Sequence, residues 1–436
     1  MAELRRRAHE ILRGNWRGGF TVPTARLYPF QWNWDSGFVS LGVADRAPLE
    51  AIEELENLFR GQWANGMVPH IVFHSETETT YFPNHDFWAA AEVNAGAPRK
   101  PRTSGISQPP VHGFVLEYLY ERYGHLPDVV DGIRRLFPKV LASHRFFYQY
   151  RDPEGEGLVF LYHPWESGRD NSPIWDESLQ RITISPGDIP PYERKDTAHA
   201  DSDQRPTGRD YDRYVYLLEL GKRHGYDGPG IWEESPFLLQ DVMLNAILIR
   251  ANEGLIRIGR QLGFSVEEAE TWQKRSVPAF NHKLWDETLG TYVSWDVRGQ
   301  VPVRSREVGG FVALFAGVPD DRRAQRMEQY LRDLRERGFR LCPSYDPEDP
   351  LFDSARYWRG PIWPQMNWLL HHGLLRYGFK STAETVRRDL LDLVDRLGFH
   401  EYFEPQRAVA DQQTRGYGGD NFSWTASTVL DFLREG

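Results

Sequence analysis

The chain has 436 residues and a formal net charge of −10, from 52 Lys and Arg against 62 Asp and Glu. Apolar residues make up 40% and aromatics 14%, enough to bury a large core and too much for a disordered polymer. A single cysteine, Cys342, excludes an internal disulfide or thiolate cluster, the acidic balance without a basic block argues against nucleic acid, and no run of about 18 apolar residues offers a membrane-spanning helix.

The opening residues Met1 to Glu10 are charged rather than apolar, unlike a secretion signal, so a cytoplasmic protein is expected. Apolar residues then recur at three- and four-residue spacing over about 2–13, 48–62, 110–123, 127–150, 208–224, 236–262, 265–285, 306–316, 320–337, 362–377, 382–397 and 423–434. Ser265 before Val266-Glu267-Glu268 and Ser381 before Thr382-Ala383-Glu384 read as helix starts. Two stretches echo one another, Asp152 to Phe160 and Asp286 to Trp295: in each, an aromatic-rich helix ends at an Asp, a Gly turn follows, and a short strand begins. A dozen helices with such echoes and no Gly/Ser-rich linker predict a mainly α protein. The arrangement expected is one catalytic unit over 1–436, an α/α toroid of six helical hairpins with short β-hairpins and long rim loops. Residues 163–207 are long, polar and Pro-rich without a strong period, the kind of stretch that usually carries function; Trp165, Ile174, Trp175 and Ile182 within it argue against disorder.

The 15 Trp, 20 Tyr and 24 Phe often stand beside Gly, Pro, Asp or Asn rather than in apolar stripes. Aromatics on loops with neighbouring carboxylates and amides suit walls that stack on sugar rings. The densest carboxylate candidate is Trp165-Glu166-Ser167-Gly168-Arg169-Asp170-Asn171-Ser172-Pro173, where an acid sits between a Gly turn and an Asn-Ser-Pro stop. Such a constrained loop holds a short carboxyl where a proton donor must meet one oxygen repeatedly. The second is Gly398-Phe399-His400-Glu401-Tyr402-Phe403-Glu404-Pro405. Glycosidic bond hydrolysis with inversion needs two carboxyl groups about 6.5–9.5 Å apart, and retention about 5–5.5 Å; only a closed architecture brings these distant segments together.

Those two motifs occur with Trp32-Asn33-Trp34-Asp35-Ser36-Gly37, with Tyr357-Trp358-Arg359-Gly360-Pro361-Ile362-Trp363-Pro364 and with Gly418-Gly419-Asp420-Asn421-Phe422-Ser423-Trp424-Thr425. In this order, from about Phe20 to about Leu430, they resemble glycoside hydrolase family 63 and the related trehalases, nearest the short bacterial branch acting on mannosylglycerate or glucosylglycerate. The resemblance implies an (α/α)6 barrel and an inverting α-glycosidase with general acid Asp170 and general base Glu401. Glu404 then supports rather than reacts. The resemblance also implies that Arg205, Tyr28, Tyr81, Gln108 and Tyr211 contact glycerate, and that Trp32, Asp35, His70, Tyr357, Trp358, Trp363 and Gln365 form the sugar's wall and hydroxyl contacts. Mannosylglycerate is the preferred substrate, with glucosylglycerate or a related α-glucoside as the alternative; no cofactor is called for. Asp170 must hold a proton when substrate binds, and Glu166 is the expected neighbour that raises it. Tyr402 or the Gln412-Gln413 pair would keep Glu401 ionised.

A small anionic glycoside is the expected partner, with neither nucleic acid nor membrane; a homo-oligomer is compatible with the sequence. His70 and His74 have the spacing of a zinc pair, but Pro69 and the β-branched run between them favour an extended segment, and no third ligand is evident. His199, Asp201 and Asp203 read as a solvated loop. The rival of another class is a sugar epimerase on the same barrel, with His70, His199 and His282 as proton shuttles.

Overall fold

The computed structural model describes residues 1–25, 27–75, 81–195, 206–405 and 414–434. Twelve helices among the described residues build a double ring. They are α1 (Ala2–Asn15), α2 (Asn33–Val43), α3 (Pro48–Leu58), α4 (His112–Tyr123), α5 (Pro127–Tyr150), α6 (Val242–Leu262), α7 (Glu267–Lys283), α8 (Val308–Ala316), α9 (Asp321–Glu336), α10 (Pro364–Arg376), α11 (Lys380–Leu397) and α12 (Ser423–Phe432). The inner ring is α2, α4, α6, α8, α10 and α12, each packed on the next, with α12 returning to α2. The remaining six cover it from outside. This is an (α/α)6 barrel, as the sequence leads one to expect.

Burial follows position in the ring. Every residue of α2 and of α8 is buried, whereas α9 and α11 bury one stripe and present charged residues to solvent, the outer-layer pattern. Neighbouring inner helices approach closely where glycine allows. A Cβ on Gly113 would stand 2.3 Å from the carbonyl oxygen of Ala251, and one on Gly254 would stand 2.6 Å from that of Gly113, so α4 and α6 touch backbone to backbone.

The helical periodicity located eleven of these twelve. It missed α2, where Asn33, Asp35, Ser36, Gly37, Ser40 and Gly42 break up the apolar spacing although every one of them is buried. It counted 208–224 instead, and residues Gly208–Arg223 do form a helix, but outside the double ring. The two sequence echoes also part company. Residues Trp285–Asp286 and Thr291–Tyr292 pair as a hairpin. Residues 152–160 form a turn, with the Asp152 carboxylate accepting from the amides of Glu156 and Gly157, and only Leu161 bridges to Leu239.

At one rim, three short segments form an antiparallel sheet, β1 (Gln31–Trp32), β2 (Ile71–Phe73) and β3 (Arg102–Thr103), with β2 central and Trp32 opposite Ile71. β1 runs directly into α2, which places Trp32, Trp34 and Asp35 at the rim. Among the described residues no helix is long and apolar enough to cross a membrane. Residues 163–195 are ordered by short turns at Pro164–Ser167 and Pro173–Trp175 and a single helical turn at Asp176–Leu179, with Trp165, Ile174, Trp175 and Ile182 buried as anchors.

Candidate active site

The rim carries a cavity lined by Tyr28, Trp32, Asp35, His70, Tyr81, Gln108, Asp170, Tyr211, Tyr357 and Glu401. All ten belong to the set singled out in the sequence, although they span more than 370 positions. Asp170 and Glu401, the two carboxylates expected to share one pocket, both line it.

Glu401 is 1% exposed and held from three sides. The hydroxyls of Tyr28 and Tyr357 donate to its Oε1 at 3.2 and 3.3 Å, and the Gly419 amide donates to its Oε2 at 3.0 Å. Donors converging on a carboxylate favour its charged form, the form a base needs. Tyr357 reaches this position from a backbone at φ +33°, a left-handed conformation that costs a bulky residue energy and persists only where its surroundings impose it. The Gly419 donor belongs to the loop that returns after β4 (Tyr402–Phe403) and β5 (Gly416–Tyr417), which pair antiparallel. Gly419 is not recognisable in the sequence as a partner of Glu401, since a backbone N–H leaves no side-chain signature. Tyr402 stacks on Trp363 with ring centroids 4.8 Å apart; Gln412 and Gln413 lie outside the described residues.

Asp170 follows Gly168, which adopts φ +70° with the Trp34 ring against it: a Cβ there would meet that ring at 2.7 Å. The Tyr214 hydroxyl donates to the Asp170 carbonyl oxygen, fixing the backbone. The expected charge partner, Glu166, is elsewhere. Its carboxylate accepts from Arg151 at 3.1 Å, the Ser107 hydroxyl at 3.0 Å and the Tyr162 amide at 3.0 Å, so it is neutralised by a buried guanidinium and absent from the cavity wall. The carboxylate that shares the cavity with both Asp170 and Glu401 is Asp35. Its pKa is driven well above the ordinary value, first by complete burial and then by the charges of Glu401 and Asp170. Three carboxylates around one cavity cannot all ionise at neutral pH without large repulsion, and burial and that repulsion both favour the protonated form of Asp35.

His70 is buried, with Nδ1 2.6 Å from the Ser104 hydroxyl, and burial together with His163 holds its pKa well below 6.5. A neutral imidazole at neutral pH suits a sugar contact. His74 pairs instead with Gln31 at 2.7 Å.

Trp358, Trp363 and Gln365, expected at the wall, do not line the cavity. They are 1%, 1% and 0% exposed and form the layer behind it, where Trp358 and Trp363 stack with centroids 3.8 Å apart. Trp34, Phe82, Trp165, Phe422 and Trp424 are the additional aromatics that line the cavity. Glu404 is also off the wall, accepting from Ser354 at 3.3 Å and Tyr417 at 3.4 Å. Arg205 lies outside the described residues, as do His199, Asp201 and Asp203. Lys195 and Pro206 also line the cavity.

Residues 28–425 match the model of the mannosylglycerate hydrolase MGH1-like glycoside hydrolase domain. The chain belongs to this glycoside hydrolase family. The enzyme is 43% identical to the mannosylglycerate hydrolase of Thermus thermophilus, over 98% of this chain and all of the relative. It is 41% identical to that of Rubrobacter radiotolerans, over 100% of this chain and 97% of the relative. The glucosylglycerate hydrolase of Mycolicibacterium hassiacum is 35% identical over 99% and 98%. A crystal structure of the Thermus thermophilus family 63 mannosylglycerate hydrolase with Tris and D-glycerate superposes with a TM-score of 0.92 at 43% identity, covering 99% of this enzyme and all of that chain. Yeast neutral trehalase shares the fold at 17% identity and a TM-score of 0.56, over 95% of this enzyme and 73% of that chain.

Proposed function

We propose that the enzyme hydrolyses α-mannosylglycerate to mannose and glycerate with inversion, Asp170 acting as general acid and Glu401 as general base. The observation that carries this reading is the pair itself: two carboxylates line one cavity, and one of them is held by three donors, which suits a base. Asp170 protonates the glycosidic oxygen as the C1–O bond breaks. Glu401 removes a proton from a water that attacks C1 from the opposite face, so the released mannose first appears as the β anomer. Protonated Asp35, neutral His70, Trp32 and Trp34 supply hydroxyl contacts and a stacking wall for the sugar. Tyr81, Gln108, Tyr211 and Arg205 are assigned to glycerate. An arginine clamps a carboxylate through paired charge-assisted hydrogen bonds, which offsets the long-range repulsion of an anion by a protein of charge −10. The whole chain acts as one catalytic unit in this reading, because the cavity draws residues from 23 to 424.

The test is to incubate the enzyme with α-mannosylglycerate and α-glucosylglycerate and to follow sugar release by proton NMR. Faster release from mannosylglycerate with β-mannose as first product is expected. Faster release of glucose overturns the sugar assignment, retention of the α anomer overturns the mechanism, and an isomeric sugar without hydrolysis would make the enzyme an epimerase.

A further inference from the structure

The residue preceding Asp170 is a fully buried arginine shared by two acids. Arg169 is 1% exposed; its Nη1 donates to Glu307 and its Nη2 to Asp241, and its guanidinium lies 5.5 Å from the centre of the Trp175 ring. Each acid has a second duty. The Asp241 carboxylate caps α6, accepting from the Leu244 amide at 2.8 Å, and also accepts from the Ser294 hydroxyl at 3.2 Å. The Glu307 carboxylate caps α8, accepting from the Gly309 amide at 2.6 Å. The guanidinium sits so close to the start of α8 that a Cβ on Gly309 would fall 2.6 Å from Nη1. One side chain therefore ties the loop to the first turns of two adjacent inner helices. The backbone around it is fixed as well. The Ser167 hydroxyl accepts from the Arg169 amide at 2.9 Å, and the Arg169 carbonyl accepts from the Trp175 indole at 2.7 Å.

Such a triad is a poor source of stability. Desolvating one cation and two carboxylates costs about as much as their attraction returns, and burial raises the Glu307 carboxyl above its ordinary pKa even with the guanidinium beside it. What a planar two-pronged donor supplies is direction. We propose that Arg169 is a positioning residue that sets the orientation of the Asp170 carboxyl by clamping its loop to the caps of α6 and α8. The inference rests on Asp170 being the general acid. A donor must meet one oxygen atom, and a misplacement of about 1 Å can cost about 100-fold in rate, but only a leaving group that needs a proton feels that loss.

The experiment compares wild type, R169K, E307Q and D170N on mannosylglycerate and on 2,4-dinitrophenyl α-mannoside, whose phenolate departs without protonation. Thermal unfolding of each variant is measured in parallel. R169K is expected to lose about 100-fold in kcat on mannosylglycerate but less than about 5-fold on the aryl glycoside, with KM nearly unchanged. E307Q should show the same selectivity with a smaller loss, and it carries the test if R169K does not fold. Equal losses on both substrates, or changes confined to KM, would overturn the clamp. A selective loss in D170N that neither R169K nor E307Q shares overturns the clamp alone. Full turnover of mannosylglycerate by D170N overturns the acid assignment and the clamp with it.

Discussion

A Cβ on Gly418 would stand 2.2 Å from Oε2 of Glu401. The backbone of the returning loop is thus packed onto the proposed base, and the next residue's amide makes a hydrogen bond to the same oxygen at 3.0 Å. Gly418→Ala would push the carboxylate off its water position and force a non-glycine residue into φ +71°. The expected outcome is a loss in kcat on the order of 100-fold, with unfolding easier by about 1–3 kcal/mol. Steady-state kinetics and a melting curve check both; a variant with unchanged kcat would show that the contact does not govern the base.

The two carboxylates should fail differently. Asp170→Asn removes the proposed proton donor and should lower kcat on mannosylglycerate by about 100- to 10,000-fold. Glu401→Ala removes the proposed base and should lose about as much, but opens space on the face from which water is proposed to attack. Azide added to Glu401→Ala should then restore bond cleavage and yield a β-mannosyl azide, the inverted product, detectable by NMR. An α-azide would place the nucleophile on the wrong face.

Glu54 lies beneath the site, 0% exposed, where it accepts from the Ser36 hydroxyl at 2.6 Å, the Thr21 amide at 2.6 Å and Gln31 Nε2 at 2.9 Å. Burial outweighs these donors and pushes its pKa up to about 7, against about 4.3 in an unfolded chain. An acid with a raised folded pKa favours folding while protonated. Its cost is absent below about pH 4.3, grows as pH rises, and is complete above about pH 7, where it amounts to about 3–4 kcal/mol. The melting temperature of Glu54→Gln relative to wild type should therefore climb between about pH 4.5 and 7.5. A difference independent of pH would mean that Glu54 titrates as it does in water.

Asp431, at the opposite end of α12 from the cavity, accepts from the Trp368 indole at 2.7 Å and pairs with Arg122. Burial alone would raise its pKa, but His372 and Arg122 more than offset this and hold it below the ordinary carboxylate range. Its stabilisation is present above about pH 3.9 and is lost as acid protonates it. Asp431→Asn leaves Arg122 uncompensated and should cost about 3–5 kcal/mol by chemical denaturation near neutrality, with kcat of the folded fraction unchanged. A loss below about 1 kcal/mol would mean that solvent screens the pair.

The sequence was most legible where chemistry demands a side chain. Asp170, Glu401 and the aromatic wall at Trp32 could be singled out because their types and neighbours are unusual, and outer helices such as α9 and α11 because one face is wet. Legibility failed where the environment is uniform or the backbone does the work. α2 buries polar residues and glycines that interrupt its apolar spacing, and Gly418 and Gly419 act through main chain laid against Glu401. Glu166 looked like a partner of Asp170 by proximity in sequence, yet Arg151 claims it. Trp358 and Trp363 have the composition of a sugar platform and serve instead as the packing behind one, a distinction between first and second layers that linear order does not encode.

The last inner helix, α12, is also the one that shuts the ring, and Ser423 at its start joins both Asn15 and Val22. Contacts bridging some 400 positions carry a large loop-closure entropy and slow assembly. During translation the segment bearing Asp170 emerges long before the helix that completes the floor beneath it, so a nascent chain exposes an unfinished ring of apolar inner faces. A complete cavity thus waits for the packing of α12 on α1 and α2.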